Sequence, residues 1–220
     1  MSHNIRGVRA AYYLGLDLGQ QQDPTAVAIV ERHETIFHEI DSATRDWRRE
    51  LVFNLKHLER VKLGTPYTEI ATYVHGILNR EAVTGNITLV VDATGVGRPV
   101  VDLLREKGCS PMVPVTITAG GRQSSKRGEF YVPKHDLVSA VSLELERGRL
   151  KIAEGLKETP ILLKELMNFK RKITQPGNET YGAWRDGEHD DLVLACSLAL
   201  WRARNFGPSR QQQGSILCNY

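Results

Sequence analysis

Tyr12 to Gly19, YYLGLDLG, is a short apolar run that carries a single carboxylate, Asp17. Apolar neighbours around a lone acid predict a buried strand, and an ionised carboxylate persists there only beside a compensating charge. No Lys or Arg adjoins Asp17 in the sequence. A distant basic residue or a metal ion has to supply that charge. A second run, Ile87 to Asp92 (ITLVVD), is more apolar still and also ends in an acid, ahead of the turn-like Ala93-Thr94-Gly95-Val96-Gly97. In the third case, Glu188-His189-Asp190-Asp191 leads directly into Leu192-Val193-Leu194-Ala195. Three acidic positions, each at an edge of apolar structure, organise the reading of the chain.

Working outward, the polar turn Gln20 to Pro24 is followed by Thr25 to Glu31 (TAVAIVE), rich in β-branched residues, which predicts a strand returning antiparallel to the first. Thr35 to Ile40 reads as a further strand or an extension of it, and Leu51 to Val61 as a third strand. Thr65 as N-cap and Pro66 at the first helical position open an amphipathic helix with Ile70, Val74, Ile77 and Leu78 on one face. After the strand ending at Asp92 come a helix over 98–107, a strand over 112–117, a helix over 134–147, a short strand over 149–153 and a helix over 158–169. Gly120 to Gly128 (GGRQSSKRG) has no apolar residue and reads as a mobile loop. Gln175-Pro176-Gly177-Asn178 predicts a hairpin between Ile173 and Trp184. The final helix, about 188–203, is apolar on most sides and therefore buried.

A chain of 220 residues with 41% hydrophobic residues supports one sizeable core, so one globular domain is expected over 12–204, with an irregular lead-in over 1–11 and a flexible tail over 205–220. The formal charge of +3 permits nucleic-acid binding without demonstrating it. Cys109, Cys196 and Cys218 are odd in number and lack metal-ligand spacing, which points to neither a disulfide framework nor a zinc site and suits a reducing cytoplasm. No apolar run approaches the length of a membrane helix.

Three antiparallel strands, then helix, strand, helix, strand, helix, with acids on the first strand, the fourth strand and the last helix, is the order of an RNase H-like core. The expected fold is thus α/β, a central mixed five-stranded sheet flanked by helices, with an additional small β-hairpin. The stretches LGLDLG, DPTAVAIVE, HLERVKLGTPYTEI, VVDATGVG, VPKHDLVSAVSLELERGRLKI, ELMNFKRK and GEHDDLVLACSLALW resemble the nuclease domain of phage terminase large subunits, across nearly all of 12–204. The resemblance implies a metal-dependent endonuclease that cuts concatemeric viral duplex DNA during packaging. It also implies that Asp17 and Asp92 share two divalent ions, Mg²⁺ or Mn²⁺, with the acid that heads the last helix.

Elementary chemistry agrees. Hydrolysis of a phosphodiester needs charge stabilised on both the attacking and the leaving oxygen, which two divalent ions accomplish, and hard cations prefer carboxylate oxygens to imidazole or thiolate. Asp17, Asp92 and Asp191 are the candidate catalytic acids. Asp190 joins them as a metal ligand, and because adjacent helical residues point about 100° apart, one of the pair is expected to face the site. Asp191, which directly precedes the buried run, is the favoured one, with Glu188 one turn earlier as a possible addition. Plain structural readings stand beside these: Asp17 as a paired core carboxylate, Asp92 as the cap of a turn, the acids at 190 and 191 as ordinary occupants of a helix N-terminus, and His189 as solvent-facing. Arg122, Lys126 and Arg127, then Lys134, then Lys170, Arg171 and Lys172 are the basic residues expected to meet the DNA backbone.

Rival readings are a Holliday-junction-resolvase-like nuclease and an actin-like or sugar-kinase ATP-binding lobe, in which LGLDLG and DATGVG are phosphate hairpins. The latter needs a second lobe that this length does not supply. The sequence contains no Gly-x-x-x-x-Gly-Lys-Ser/Thr loop, so an ATPase domain is expected as a separate or missing partner, together with a small terminase subunit and a portal. No membrane partner is expected.

Overall fold

The structure is a computed structural model that describes residues 4–19, 23–94, 97–173 and 190–207. Its framework is one mixed sheet in the order β6-β7-β5-β4-β1-β2-β3-β8. The first three strands, β1 (Ile5–Asp17), β2 (Ala26–Ile40) and β3 (Trp47–Arg60), form an antiparallel meander. Then α1 (Tyr67–Leu78) leads to β4 (Ile87–Asp92), which pairs parallel to β1, and α2 (Gly97–Glu106) leads to β5 (Met112–Thr118), parallel to β4. The hairpin β6 (Ser124–Lys126) and β7 (Glu129–Pro133) extends that edge. Finally α3 (Lys134–Glu146), β8 (Leu150–Ile152), α4 (Thr159–Ile173) and α5 (Asp191–Asn205) complete the chain.

The expected five strands are the middle of this sheet, β3-β2-β1-β4-β5, so the RNase H-like core stands with additions at both edges: β8 beside β3, and the β7-β6 hairpin beside β5. Residues 120–128 are accordingly not all loop. Lys126 pairs with Glu129 across Arg127 and Gly128, both at positive φ (53° and 83°), which is the two-residue turn geometry whose twist matches paired strands. Residues 5–11 are not an irregular lead-in either. They pair with β2 as far as Ile5 opposite Phe37, their polar composition reflecting a strand end exposed to water rather than an unpaired one. At the other end, Phe206 packs edge-on against Phe130 and Trp201, and its carbonyl accepts a bond from the Tyr13 hydroxyl (3.0 Å), so the core reaches into the expected tail. The N-cap of α1 is Pro66, because the Thr65 hydroxyl donates instead to the Lys62 carbonyl (2.7 Å). The predicted hairpin after Ile173, and Glu188 and His189, lie outside the described residues.

Period-two alternation assigns the faces of the sheet. Leu14, Leu16, Ile87, Leu89 and Val91 pack against Ile70, Val74 and Ile77 of α1 and Leu104 of α2. On the opposite face, Ala11, Tyr13, Ala26, Ala28, Phe53 and Leu55 meet Leu192, Val193, Ala195, Cys196, Ala199 and Leu200 of α5, joined by Val138 and Val141 of α3 and Leu162 and Leu166 of α4. All but Arg202, Arg204 and Asn205 of α5 is buried, and each enclosed Leu or Val contributes about 1.5–3 kcal/mol. Gly15 lets this helix approach: an added Cβ would meet the Ala195 carbonyl oxygen at 1.9 Å. Where the cluster carries a charge, it is enclosed in pairs. Glu144 of α3, fully buried, accepts two bonds from Arg149 (2.6 and 2.7 Å), and Arg204 of α5 approaches it at 3.3 Å.

Candidate active site

β1 and β4 run parallel, with Leu16 opposite Val91, and each ends one residue later in an acid. Since Gly15 faces α5 and Val90 packs on Leu198 and Trp201, the same alternation sends the side chains of Asp17 and Asp92 to the α5 side. The N-terminus of α5 brings Asp190 and Asp191 to that edge, and α3 starts there with Lys134. Acids from two central strands and one buried helix therefore meet at the carboxyl ends of β1 and β4.

Their electrostatics record the crowding. Burial, and then the charges of Asp92, Asp190 and Asp191, drive the Asp17 carboxyl well above the usual carboxylate range, with Lys134 pulling the other way. Asp92 is raised by burial, against two bonds that its Oδ1 accepts from Thr94, from the backbone N–H (2.8 Å) and the hydroxyl (2.5 Å), and against the charge of Lys134. The Thr94 hydroxyl in turn accepts from the Ile117 N–H (2.7 Å), fixing the end of β4 to β5. Thus Asp92 does tie the turn, through one oxygen; among the described residues its Oδ2 has no hydrogen-bond partner. Asp190 is likewise raised by burial and held back by its ion pair with Lys134.

Asp190 and Asp191 have different partners. The Arg60 guanidinium at the end of β3 grips Asp191 with both forks, Nε to Oδ2 at 2.7 Å and Nη2 to Oδ1 at 3.1 Å, and donates again to Glu165 of α4 at 2.5 Å. Glu165 Oε2 accepts from the Val193 N–H (3.0 Å), one of the donors that a helix start leaves unpaired. This is a cap supplied by another helix. Asp190, the N-cap by position, makes no capping hydrogen bond with its side chain, so that side chain is left to the site. Asp191 is buried and paired with Arg60, whereas Asp190 is paired with Lys134, and the charges of both act on Asp17.

Arg60 and Glu165 carry no role in the sequence reading. A signal existed for the second: Glu165 lies on the apolar stripe of α4 with Leu162, Leu166 and Phe169, and a charge on a buried stripe requires a partner. Of the expected DNA-contacting residues, Lys134 is at the acids, while Arg122, Lys126 and Arg127 are exposed at the β6 edge of the sheet. Lys170, Arg171 and Lys172 continue α4 rather than following it, with side chains outside the described set.

Among the described residues no three ligand-type side chains stand close enough to hold a metal ion as they are. The donor set nevertheless fits a hard divalent cation: oxygen-only, carboxylate-rich, and raised in proton affinity by burial first and by neighbouring carboxylates second. Asp17, Asp92 and Asp190 are the residues suited to it. Among the described residues no helix is long and apolar enough to cross a membrane.

No curated protein matches the sequence. The sequence model of the terminase RNaseH-like domain matches residues 70–203, which include Asp92, Lys134, Glu165, Asp190 and Asp191. With well over half of its length so matched, and with the sheet order and acid placement of an RNase H-like core, the chain belongs to the terminase RNaseH-like domain family.

Proposed function

We propose that this terminase nuclease-type domain is a divalent-metal-dependent endonuclease that cuts concatemeric viral duplex DNA during genome packaging. The observation that carries the reading is the gathering of Asp17, Asp92 and Asp190 from three separate elements, with their proton affinities raised by burial and by neighbouring carboxylates. Buried like charges are costly to assemble for stability alone, so they point to chemistry. Asp17, Asp92 and Asp190 hold the divalent ions, with Asp191 kept by Arg60 as a buttress instead of a ligand. When bound, such ions activate water and stabilise the attacking and leaving oxygens.

The protein's own groups set the stage for that chemistry. Asp17 and Asp92 project from paired central strands, which fixes their separation. Arg60 and Glu165 fix the first turn of α5, and with it Asp190. Arg122, Lys126 and Arg127 on the β6–β7 edge, Lys134 at the site, and Lys170, Arg171 and Lys172 on α4 neutralise backbone phosphates, giving salt-dependent binding with little sequence reading. An ATPase domain, a small terminase subunit and a portal are the partners this role requires, in the host cytoplasm.

The test is conversion of supercoiled plasmid to nicked and linear forms in Mn²⁺, Mg²⁺ or EDTA. Cleavage with either metal, absent in EDTA and absent for Asp92→Ala, supports the reading. Intact plasmid in both metals, at protein concentrations that shift the DNA in a gel, refutes it.

A further inference from the structure

Lys134 occupies the first position of α3, immediately after the β7 strand that ends at Pro133, and its side chain is largely enclosed, with 18% of its surface exposed. Its ammonium pairs with Asp190, and its charge also acts on Asp17 and Asp92. One cation is thus common to the three carboxylates.

Without a positive charge among them, carboxylates this close repel one another, and α5 would be pushed from the end of β1. Arg60 does not serve that need, since its forks are committed to Asp191 and Glu165. The two cations also differ in kind. A guanidinium forked onto a carboxylate is a rigid brace, whereas an ammonium on a flexible four-carbon stem is a compact point charge that changes partners readily. An Asp190 oxygen shared with an ammonium is not available at full charge to a metal ion. The same pairing explains why the acids stand together electrostatically without being closed to ligand geometry.

We propose that Lys134 is a built-in counter-cation, which holds the acidic cluster together in the metal-free domain and gives up Asp190 when divalent ions bind. The proposal rests on the nuclease reading above. Displaced, the ammonium stays tethered at the start of α3, beside the acids, where an anionic phosphate of the substrate replaces Asp190 as its partner. Lys134 and the first divalent ion then compete for one carboxylate, and the metal-free domain keeps its shape without a bound metal.

Two measurements test this. Amine acylation read by mass spectrometry compares Lys134 in EDTA, in Ca²⁺ and in Mg²⁺, with the exposed Lys107 and Lys151 as internal references. Labelling of Lys134 is expected to rise several-fold with either ion, with the references unchanged. In thermal-shift titrations with Mg²⁺, Lys134→Met is expected to respond at lower ion concentration than wild type, by about tenfold, within the 5–150-fold span usual for coupled sites. Lys134→Arg, whose forked guanidinium holds Asp190 more rigidly, is expected to respond only at higher ion concentration than wild type. Unchanged labelling of Lys134, in a wild type that Mg²⁺ stabilises and that cleaves plasmid, overturns the proposal and leaves the nuclease reading standing. A wild type indifferent to both ions and inactive on plasmid overturns both. Should Lys134→Met fail to fold in EDTA, the wild-type labelling alone decides.

Discussion

Gly15→Ala is the perturbation that most directly probes how the site is built. The added methyl would sit 1.9 Å from the Ala195 carbonyl oxygen and 2.9 Å from the Ala199 nitrogen, both main-chain atoms of α5. An ordinary contact begins near 3.4 Å, so the helix must retreat from β1 by about 1.5 Å. Neither partner has a side chain to rotate away, and truncating Ala195 or Ala199 to glycine does not relieve the clash. Overpacking of this kind costs about 1–3 kcal/mol, and more where the backbone has to move. On the proposed nuclease reading cleavage suffers further, because Asp17 stays on β1 while Asp190 travels with α5, and a displacement of about an ångström at a catalytic site costs on the order of 10²-fold in rate. Urea denaturation and plasmid cleavage in Mn²⁺, run side by side, separate the two effects. Gly76→Ala is the control: no atom lies within 4 Å of its added Cβ, and alanine inside α1 is worth about 0.5–1 kcal/mol over glycine. A Gly15→Ala protein that unfolds at the wild-type urea concentration and cuts at the wild-type rate would show that the close approach of α5 to β1 does not position the acids.

Other perturbations follow from the charges. Asp17, Asp92 and Asp190 all have raised proton affinity in the fold, so their contribution to stability is full below the unfolded carboxylate value of about 3.9 and is lost as the pH climbs through the raised folded values. The melting temperature in EDTA should therefore fall from mildly acidic to neutral pH, less steeply in Asp17→Asn, which should be more stable than wild type at pH 7.5 yet inactive; equal slopes contradict this. Arg60→Met strands Asp191, whose side chain is only 6% exposed, and should lower unfolding free energy by about 3–5 kcal/mol in urea titrations. Burial pushes Glu165 up to about 8 against the pull of the Val193 N–H and Arg60, so its contribution is full below about 4.5 and lost as the pH rises through about 8. Glu165→Gln, which keeps an acceptor for Val193, should flatten the alkaline side of the stability profile. Glu144→Ala removes the partner of Arg149 and Arg204, whose heads are about one-third exposed, and should cost about 1–3 kcal/mol while metal-dependent cleavage by the folded protein persists.

Much of the architecture was legible because alternation and apolar length are local properties. LGLD and ITLVVD declare themselves as strands, and their acids fall on one face by counting in twos. Positions 5–10 were hidden because the far end of β1 is paired yet largely exposed, leaving no apolar pattern. The β6–β7 hairpin was hidden for a related reason: GGRQSSKRG has nothing to bury, and only Arg127-Gly128 hints at its turn. The partner that sets Asp191 apart from Asp190 is Arg60, 131 residues from Asp191, and no spacing rule spans that distance. Burial of the segment after Asp191 is legible from its apolar run, but the guanidinium that this burial sets against Asp191 is not.

The placement of the buried helix α5 also governs when the site comes into being. Asp17 and Asp190 stand 173 positions apart in the sequence, and Asp190 adjoins the element that covers the apolar face of β1, β2 and β3. Contacts so remote in sequence form late, after the intervening chain has paid its loop-closure entropy. A chain interrupted before α5 therefore has two of these acids and an uncovered sheet, and is prone to aggregation or proteolysis. The acidic cluster is thus assembled only when α5 docks.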